Sequence, residues 1–567
     1  MLNARNQRIN YSYADWGGLL SESHYLDDQA TNLERIISHN YNLDGNLVSS
    51  NDDSIQVADL YSLNYDALSR PLTQTIKYIP GGDKTLSYSY DRFGNRSSMS
   101  LNDGQLLSHS YSFDKRNRLT QADLPQAGLP ASQSINLSYT EADERQQITY
   151  PNGVTTNYTF EPNGPIKTIN TQTSTNTNLE SWTYNYNAVL NIDAISNSLG
   201  QTTYSYDDLN RLTSADYPSL LNDETYAYDL VGNREDPNNT AAYDYDQNNR
   251  ILQSPINGNT NYSFDSDGNL TQSTSSANNK TYSYDISNRL RTYTGTSNSA
   301  IYSYDPNGRR INKTVNGATS TYFLWDGTQI LAEYNGAGIR TQRYAYLPGD
   351  YAPSQSADEN GIYNVHSDHL QTPKLMTDSN QEIVWTNHMQ AYGESNVDTD
   401  PDGNGNIVIM NMRFPGQYED QESGLYQNYF RDYDPDIGRY VERDPSGLGK
   451  NLSLYAYALP NPLGYFDPLG LKECGCNEFP VLDQSCAFEC AKEQCNLGSC
   501  PAEFLYGFPS CAIFICVPVY FKFTPIGGKL CTLGCGGYGI YRWYSCSRDK
   551  FRCTAKCKNL EKCTICL

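Results

Sequence analysis

The sequence predicts an all-β protein made of stacked hairpins, followed by a small cysteine-rich module at its C-terminus. Three observations predict this. The pattern Tyr-x-Tyr-Asp-x-x-x-Asn-Arg recurs along the chain, and from Tyr243 onward its copies start 19 or 20 residues apart. That period is short for a helical repeat and suits a strand-turn-strand unit. Tyrosine contributes 48 residues and aromatics 12% of the chain, which fits polar strands with aromatic anchors better than disorder. All 15 cysteines lie between Cys474 and Cys566.

At 567 residues the chain exceeds one small core, so several domains or one large repeat array are expected. The formal charge is −23. Eleven Lys/Arg against eight Asp/Glu give residues 472–567 a net charge of +3, which leaves −26 on the body. Nucleic-acid binding by the body is therefore disfavoured. The opening "MLNARNQRINYSYADW" is polar and already strand-like, with no apolar signal segment. It reads as a start inside a repeat, the expectation for a piece of a longer gene; delivery by a specialised secretion system is the alternative.

The repeat reads "YSYDRFGNR" at 88–96, "YSFDKRNRL" at 111–119, "YSYDDLNRL" at 204–212 and "YAYDLVGNR" at 226–234. It continues as "YSFDSDGNL" at 262–270, "YSYDISNRL" at 282–290 and "YSYDPNGRR" at 302–310. In the copy at 282, Tyr282 and Tyr284 are two residues apart and share a strand face. Asp285 can accept from backbone amides of the turn, and Asn288, or Gly in sister copies, tolerates positive φ. Arg289 starts the return strand and Leu290 points inward. A single hairpin buries too little alone, so neighbours must stack into one long sheet. Most tyrosines then serve packing; a carbohydrate-stacking face is their alternative use.

These repeats resemble the YD repeats of the Rhs proteins, which also occur in teneurins and in the C components of insecticidal Tc toxins. The resemblance covers roughly residues 10–471. "YNVHSDHLQTPKLMTDSNQEIVWTNHMQAYG" at 363–393 and "RFPGQYEDQESGLYQNYFRDYDPDIGRYVERDP" at 413–445 resemble the Rhs core that follows the repeats. It implies a hollow β-shell spiralled from hairpins over residues 1–360, a core with a self-cleavage site over 361–471, and a variable domain, the toxin in such systems, over 472–567.

Two side motifs invite a metal. "HSDHL" holds His366, Asp368 and His369, but neighbours in a strand point to opposite faces, so a structural role is expected. "DTDPDGNGNIVI" spaces Asp398, Asp400, Asp402 and Gly403 like a calcium loop, yet Ile409 stands where the bidentate Glu belongs and Pro401 departs from the pattern. A polar turn is the expectation, with calcium at these three aspartates the alternative. No cofactor is implied.

"RDPSGLGKNLSLYAYALPNPLGYFDPLGL" at 443–471 carries two Asp-Pro-x-Gly units, at Asp444 and Asp467. On the residues alone each is first a turn former. Two carboxylates brought together resist double ionisation, so one keeps a proton and the other acts as base. The resemblance implies the second role: a self-cleaving aspartyl protease with Asp444 and Asp467 as the catalytic pair, cutting between Leu471 and Lys472. The same resemblance assigns Arg431 to hold the pair or its substrate chain, ahead of Arg439 and Arg443.

In the tail, Cys486-x3-Cys490 and Cys553-x3-Cys557 would place sulfurs one helical turn apart, so these four are disulfide candidates. Zinc fits less well, because Cys-x2-Cys occurs once and all six His lie before residue 389. The missing His also disfavours a His-metal nuclease. The uncharged run "FLYGFPSCAIFICVPVYF" at 504–521 reads as buried strands, with a membrane-active segment as the alternative. The resemblance implies a carrier whose partners are its own tail as cargo, an immunity protein and a secretion machinery, for competition between bacteria. A teneurin-like adhesion or carbohydrate-binding protein is the rival.

Overall fold

The computed structural model describes residues 2–55, 60–104, 106–124, 134–218, 220–236, 243–447 and 453–471, and three two-residue strands beyond them. Those strands are Cys474–Gly475, Ser545–Cys546 and Cys553–Thr554. The chain divides into two compact units, Met1–Pro509 and Ser510–Leu567. In the first, the described strands pair antiparallel with their neighbours in sequence. Nineteen strands from Arg8–Tyr13 to Glu224–Thr225 form one sheet, and sixteen from Asp244–Tyr245 to Ser395–Asp398 form another. Four short strands between Tyr418 and Tyr440 make a third. The one helix among the described residues is a single turn, Ile256–Asn259.

One continuous sheet was expected, and the repeats instead form two long ones. The interruption lies at the copy starting at Tyr226, where Ala227–Tyr228 pairs with only Arg234–Glu235. Asp236-Pro237 follows in the sequence, and a proline cannot donate to a sheet ladder.

The hairpin at 282–294 shows how each copy is built. Tyr282 is buried and Tyr284 packs against the same cluster, with a bulge between Ser283 and Tyr284 that bends the strand into its turn. Asp285 Oδ1 accepts the N–H groups of Ser287 at 2.8 Å and Arg289 at 3.1 Å. Asn288 sits at φ +60°, in the left-handed region that Asn tolerates. Arg289 folds back on Asp285 Oδ2 through Nε at 2.8 Å and Nη2 at 2.6 Å. Its Nη1 donates to the carbonyl of Asp305, the turn aspartate of the next copy, at 3.0 Å. Tyr304 of that next copy lies 4.9 Å from the same guanidinium and donates to the Leu290 carbonyl at 2.8 Å. Arg211 and Arg250 repeat the step, donating to the carbonyls of Asp229 and Asp265.

The later strands lie along the earlier ones in the same order. Arg5 pairs with Asp267, Asn307 donates to Tyr61, Tyr78 donates to the Phe323 carbonyl, and Arg145 pairs with Asp350. Tyr150 donates to the Val365 carbonyl, and the Tyr228 and Tyr392 hydroxyls meet at 2.6 Å. One core cluster accordingly contains Leu86, Met99 and Ile135 together with Phe323, Trp325 and Trp385. The four-stranded sheet is tied to the repeats by a fully buried pair of Arg310 with Asp420 and by Lys313, 3.1 Å from both Asp420 and Glu422.

Replacing Arg289 removes a buried ion pair and the link to the next copy. Arg289→Ala should lower the urea unfolding midpoint by the equivalent of about 3 kcal/mol. Arg116→Ala removes a pair whose side chains are 53% and 46% exposed and should change it by less than about 1 kcal/mol.

Candidate active site

Residues 413–471 supply the site. The strand Arg431–Asp434 presents Arg431, and the strand Arg439–Tyr440 pairs with it. Tyr440 belongs to an aromatic cluster with Phe414, Tyr426, Tyr433 and Tyr457. Asp467 follows the strand Tyr465–Phe466, which pairs with Cys474–Gly475.

Both predicted aspartates meet the predicted arginine. Arg431 Nη2 lies 3.0 Å from Asp444 Oδ2 and 3.2 Å from Asp467 Oδ2. The Arg431 side chain is 3% exposed, Asp467 4% and Asp444 12%. The guanidinium stacks on Tyr440, 3.6 Å from the ring centroid, and donates to the carbonyls of Gly470 and Leu454. The Leu454 carbonyl also accepts the Asp444 N–H at 3.0 Å. Arg439 instead reaches the Asn249 carbonyl and the rings of Tyr245 and Tyr455, while Arg443 is exposed.

The two Asp-Pro-x-Gly units do form turns, and the turns aim the carboxyls. Asp467 Oδ1 accepts the N–H of Leu471 at 3.0 Å, with Leu469 N–H at 3.4 Å, which leaves Oδ2 for Arg431 and for the Tyr440 hydroxyl at 2.9 Å. Asn428 Nδ2 donates at 2.7 Å to both the Tyr440 oxygen and the Asp467 carbonyl. Gly470 sits at φ +71°, and a Cβ there would fall 2.6 Å from the Asn428 carbonyl oxygen. Asp444 Oδ1 accepts the N–H of Ser446 at 2.8 Å and its hydroxyl at 2.5 Å. The same hydroxyl lies 3.4 Å from the carbonyl oxygen of Leu471.

Burial pushes the Asp444 carboxyl up, and the Asp467 charge adds to it, while Arg431 and the Ser446 donors pull it down; the net shift is upward. Burial, reinforced by Asp467, holds the Tyr440 phenol far above its usual range, so it stays a donor. Tyr440, Asn428 and Ser446 escaped sequence reasoning. Tyr440 is one of 48 tyrosines, and only the fold brings it to Asp467. Ser446 occupies the variable position of its Asp-Pro-x-Gly unit, and a polar residue there was the one signal available.

The metal candidates make hydrogen bonds within the chain. His366 is buried between Thr156 and Thr377 Oγ1, at 3.2 and 3.0 Å, while His369 Nε2 donates to the Leu463 carbonyl and Asp368 accepts turn amides. In the 398–406 loop Asp398 and Asp400 accept backbone N–H groups, and Asp402 accepts from Asn404. Among the described residues no three His, Cys, Asp or Glu converge as a metal site. Lys472, Cys486, Cys490 and Cys557 and the 504–521 run lie outside the described residues. Cys553–Thr554 pairs as a short strand with Ser545–Cys546.

The model of the Teneurin YD-shell family matches residues 178–462, half of the chain. The chain belongs to the teneurin YD-shell family. This YD-shell chain is 32% identical over 321 residues to the double-stranded DNA deaminase toxin A of Burkholderia cenocepacia, covering 51% of the chain and 22% of that protein. It is 32% identical over 179 residues to the probable deoxyribonuclease RhsA of Dickeya dadantii, covering 30% and 12%. The chain thus spans about a fifth or less of these relatives. Among solved structures, the crystal structure of TcdB2-TccC3 without its hypervariable C-terminal region superposes with a TM-score of 0.61 at 19% identity, over 83% of the chain and 27% of that one. The shared all-β YD shell is what that likeness shows.

The strand that carries Arg431 also holds one member of a second carboxyl pair, Asp432 with Glu442. Asp432 and Glu442 are 4% and 2% exposed, and the Asp432 N–H donates to Glu442 Oε2 at 2.8 Å. Burial pushes both up, Asp432 to about 7, and the Asp432 charge adds to the rise at Glu442. A carboxyl with a raised folded pKa holds its proton more tightly when folded. Its contribution to stability is complete below the ordinary carboxylate range and is lost as pH rises through about 7. The Tm of Asp432→Asn should therefore gain on the wild type by a few degrees as pH rises from about 4 to about 8. A constant difference across that range would refute the buried titration.

Proposed function

We propose that this chain is a carrier that cuts itself after Leu471 and releases residues 472–567 as toxic cargo for competition between bacteria. One observation carries the reading: Asp444 and Asp467 share a single nitrogen of Arg431, at 3.0 and 3.2 Å, against the Leu471 residue whose carbonyl would be attacked. Leu471 donates its N–H to Asp467 and turns its carbonyl oxygen toward the Ser446 side of Asp444. The roles follow from surroundings. Asp467 takes the base's part, oriented by Arg431, Tyr440 and the Leu471 N–H. Asp444, whose carboxyl burial pushes up, takes the acid's part.

Two further facts support the boundary. Charge and cysteine content both change at residue 472. The relatives named above are a deaminase toxin and a probable deoxyribonuclease, and a third, the toxin protein Tse5 of Pseudomonas aeruginosa, is 38% identical over 125 residues. Their chemistry is theirs; for this chain the carrier role, delivery outside the producing cell, an immunity partner and a disulfide-built cargo form one proposal.

The purified chain should run as two fragments on a denaturing gel, with Lys472 as the new N-terminus. Asp444→Asn and Asp467→Asn should each leave one band, and Arg431→Ala should slow the cut on the order of 10²-fold or more. An intact wild-type chain refutes the cut. Residues 472–567 produced in the cytosol and in the periplasm test the cargo: growth arrest in either supports a toxin, and harmless production in both favours a teneurin-like adhesion protein.

A further inference from the structure

The two Asp-Pro-x-Gly turns share a backbone frame but differ at the variable position. In the second it is Leu469, which brings only its N–H to Asp467, at 3.4 Å. In the first it is Ser446, which brings its N–H and its hydroxyl to Asp444. That hydroxyl lies 2.5 Å from Asp444 Oδ1 and 3.4 Å from the carbonyl oxygen of Leu471. A serine hydroxyl holds one proton to give and lone pairs to receive one. It therefore forms a bridge between the acid and the oxygen on which negative charge would develop.

We infer that Ser446 is a catalytic residue of the cut, passing the Asp444 proton to the Leu471 carbonyl oxygen. The inference rests on the self-cleavage proposed above. The step balances without a cofactor. A water oxygen bonds to the Leu471 carbonyl carbon and gives a proton to Asp467. The carbonyl oxygen takes the Ser446 proton, and Ser446 takes the proton of Asp444. The tetrahedral diol then collapses. The carbon–nitrogen bond to Lys472 breaks, the amine takes the proton from Asp467, and a diol proton returns to Asp444 through Ser446. The sum is one peptide bond and one water converted to a carboxylic acid and an amine.

Geometry separates this role from turn building. The Ser446 N–H already satisfies the turn at 2.8 Å, and alanine keeps that N–H. Ser446 is exposed, so its substitution leaves the aromatic cluster and the Arg431 bridge in place. Arg431 and Tyr440 occupy the Oδ2 side of the aspartates, and among the described residues Ser446 is the side chain that meets the Leu471 carbonyl oxygen.

The test follows the full chain made by pulse-labelled cell-free translation, chased at pH values from about 5 to about 8 and read as the intact fraction on a denaturing gel. In the wild type the rate should fall as pH rises through the raised Asp444 range, because the acid loses its proton. Ser446→Ala should slow the cut about tenfold or more and weaken that pH dependence. Ser446→Thr, which keeps a hydroxyl, should restore both. Cutting of Ser446→Ala at the wild-type rate, while Asp444→Asn stays intact, overturns the relay and leaves the aspartate pair standing. Equal slowing of the Ala and Thr variants overturns it too, since the hydroxyl would then not be the active group. A wild-type chain that never cuts overturns the pair and the relay together.

Discussion

The stacking of the repeats depends on arginines that close one turn and reach the next, as Arg211, Arg250 and Arg289 do. In the 285–289 turn the guanidinium closes its own loop on Asp285 through Nε and Nη2 and reaches the backbone of the next turn, at Asp305, through Nη1. An isolated two-stranded hairpin is marginal in water. Linking such turns to their successors makes the array cooperative along its length, and the tyrosine of the next copy covers the arginine face. The acidic body is compatible with this, because many of its carboxylates are consumed one by one as turn caps.

The two candidate-site aspartates head the same turn without its arginine. Asp285 takes amides from positions two and four residues on through Oδ1, and Arg289, at the fourth, covers Oδ2. Asp467 takes the amides of Leu469 and Leu471 in the same way, but the fourth residue is now a leucine. Its Oδ2 is released for Arg431 and Tyr440. Asp444 heads a second such unit, with Leu448 at the fourth position in the sequence. Removing the local cation from two turns lets one distant guanidinium serve both carboxyls. The residue that replaces the arginine, Leu471, donates its N–H to Asp467, and on the proposed function it brings the chain to be cut to the pair.

What the sequence reveals divides along this line. The repeat hairpins were legible because their contacts run over four residues: Asp285 with Arg289, Asn288 at positive φ, Leu290 inward. Asp444, Asp467 and Arg431 were legible through the doubled Asp-Pro-x-Gly and the family resemblance. Tyr440 and Asn428 were not, since their partners lie 27 and 39 residues away and nothing local marks them. The break between the two long sheets was missed because Tyr226–Arg234 has the full repeat pattern. Its return strand stops at Glu235, directly before Asp236-Pro237 in the sequence. The Asp432 and Glu442 pair was invisible for a different reason: acidic residues read as surface until a fold buries them.

The site is also held from outside its own segment, and this orders events. The Leu270 N–H donates to the Val441 carbonyl and Tyr455 donates to the Gly268 carbonyl. The Leu212 N–H reaches the Pro460 carbonyl, and His369 reaches that of Leu463. The described residues among 441–463, between and around the two aspartate turns, therefore take their positions in part from repeats between 212 and 270 and from the 369 turn. Contacts of such sequence separation form only once the intervening chain has paid its closure entropy. On the proposed function, Asp444 and Asp467 are held against Arg431 once the repeats are wound against one another, and cutting follows that winding because of where the backbone hydrogen bonds go.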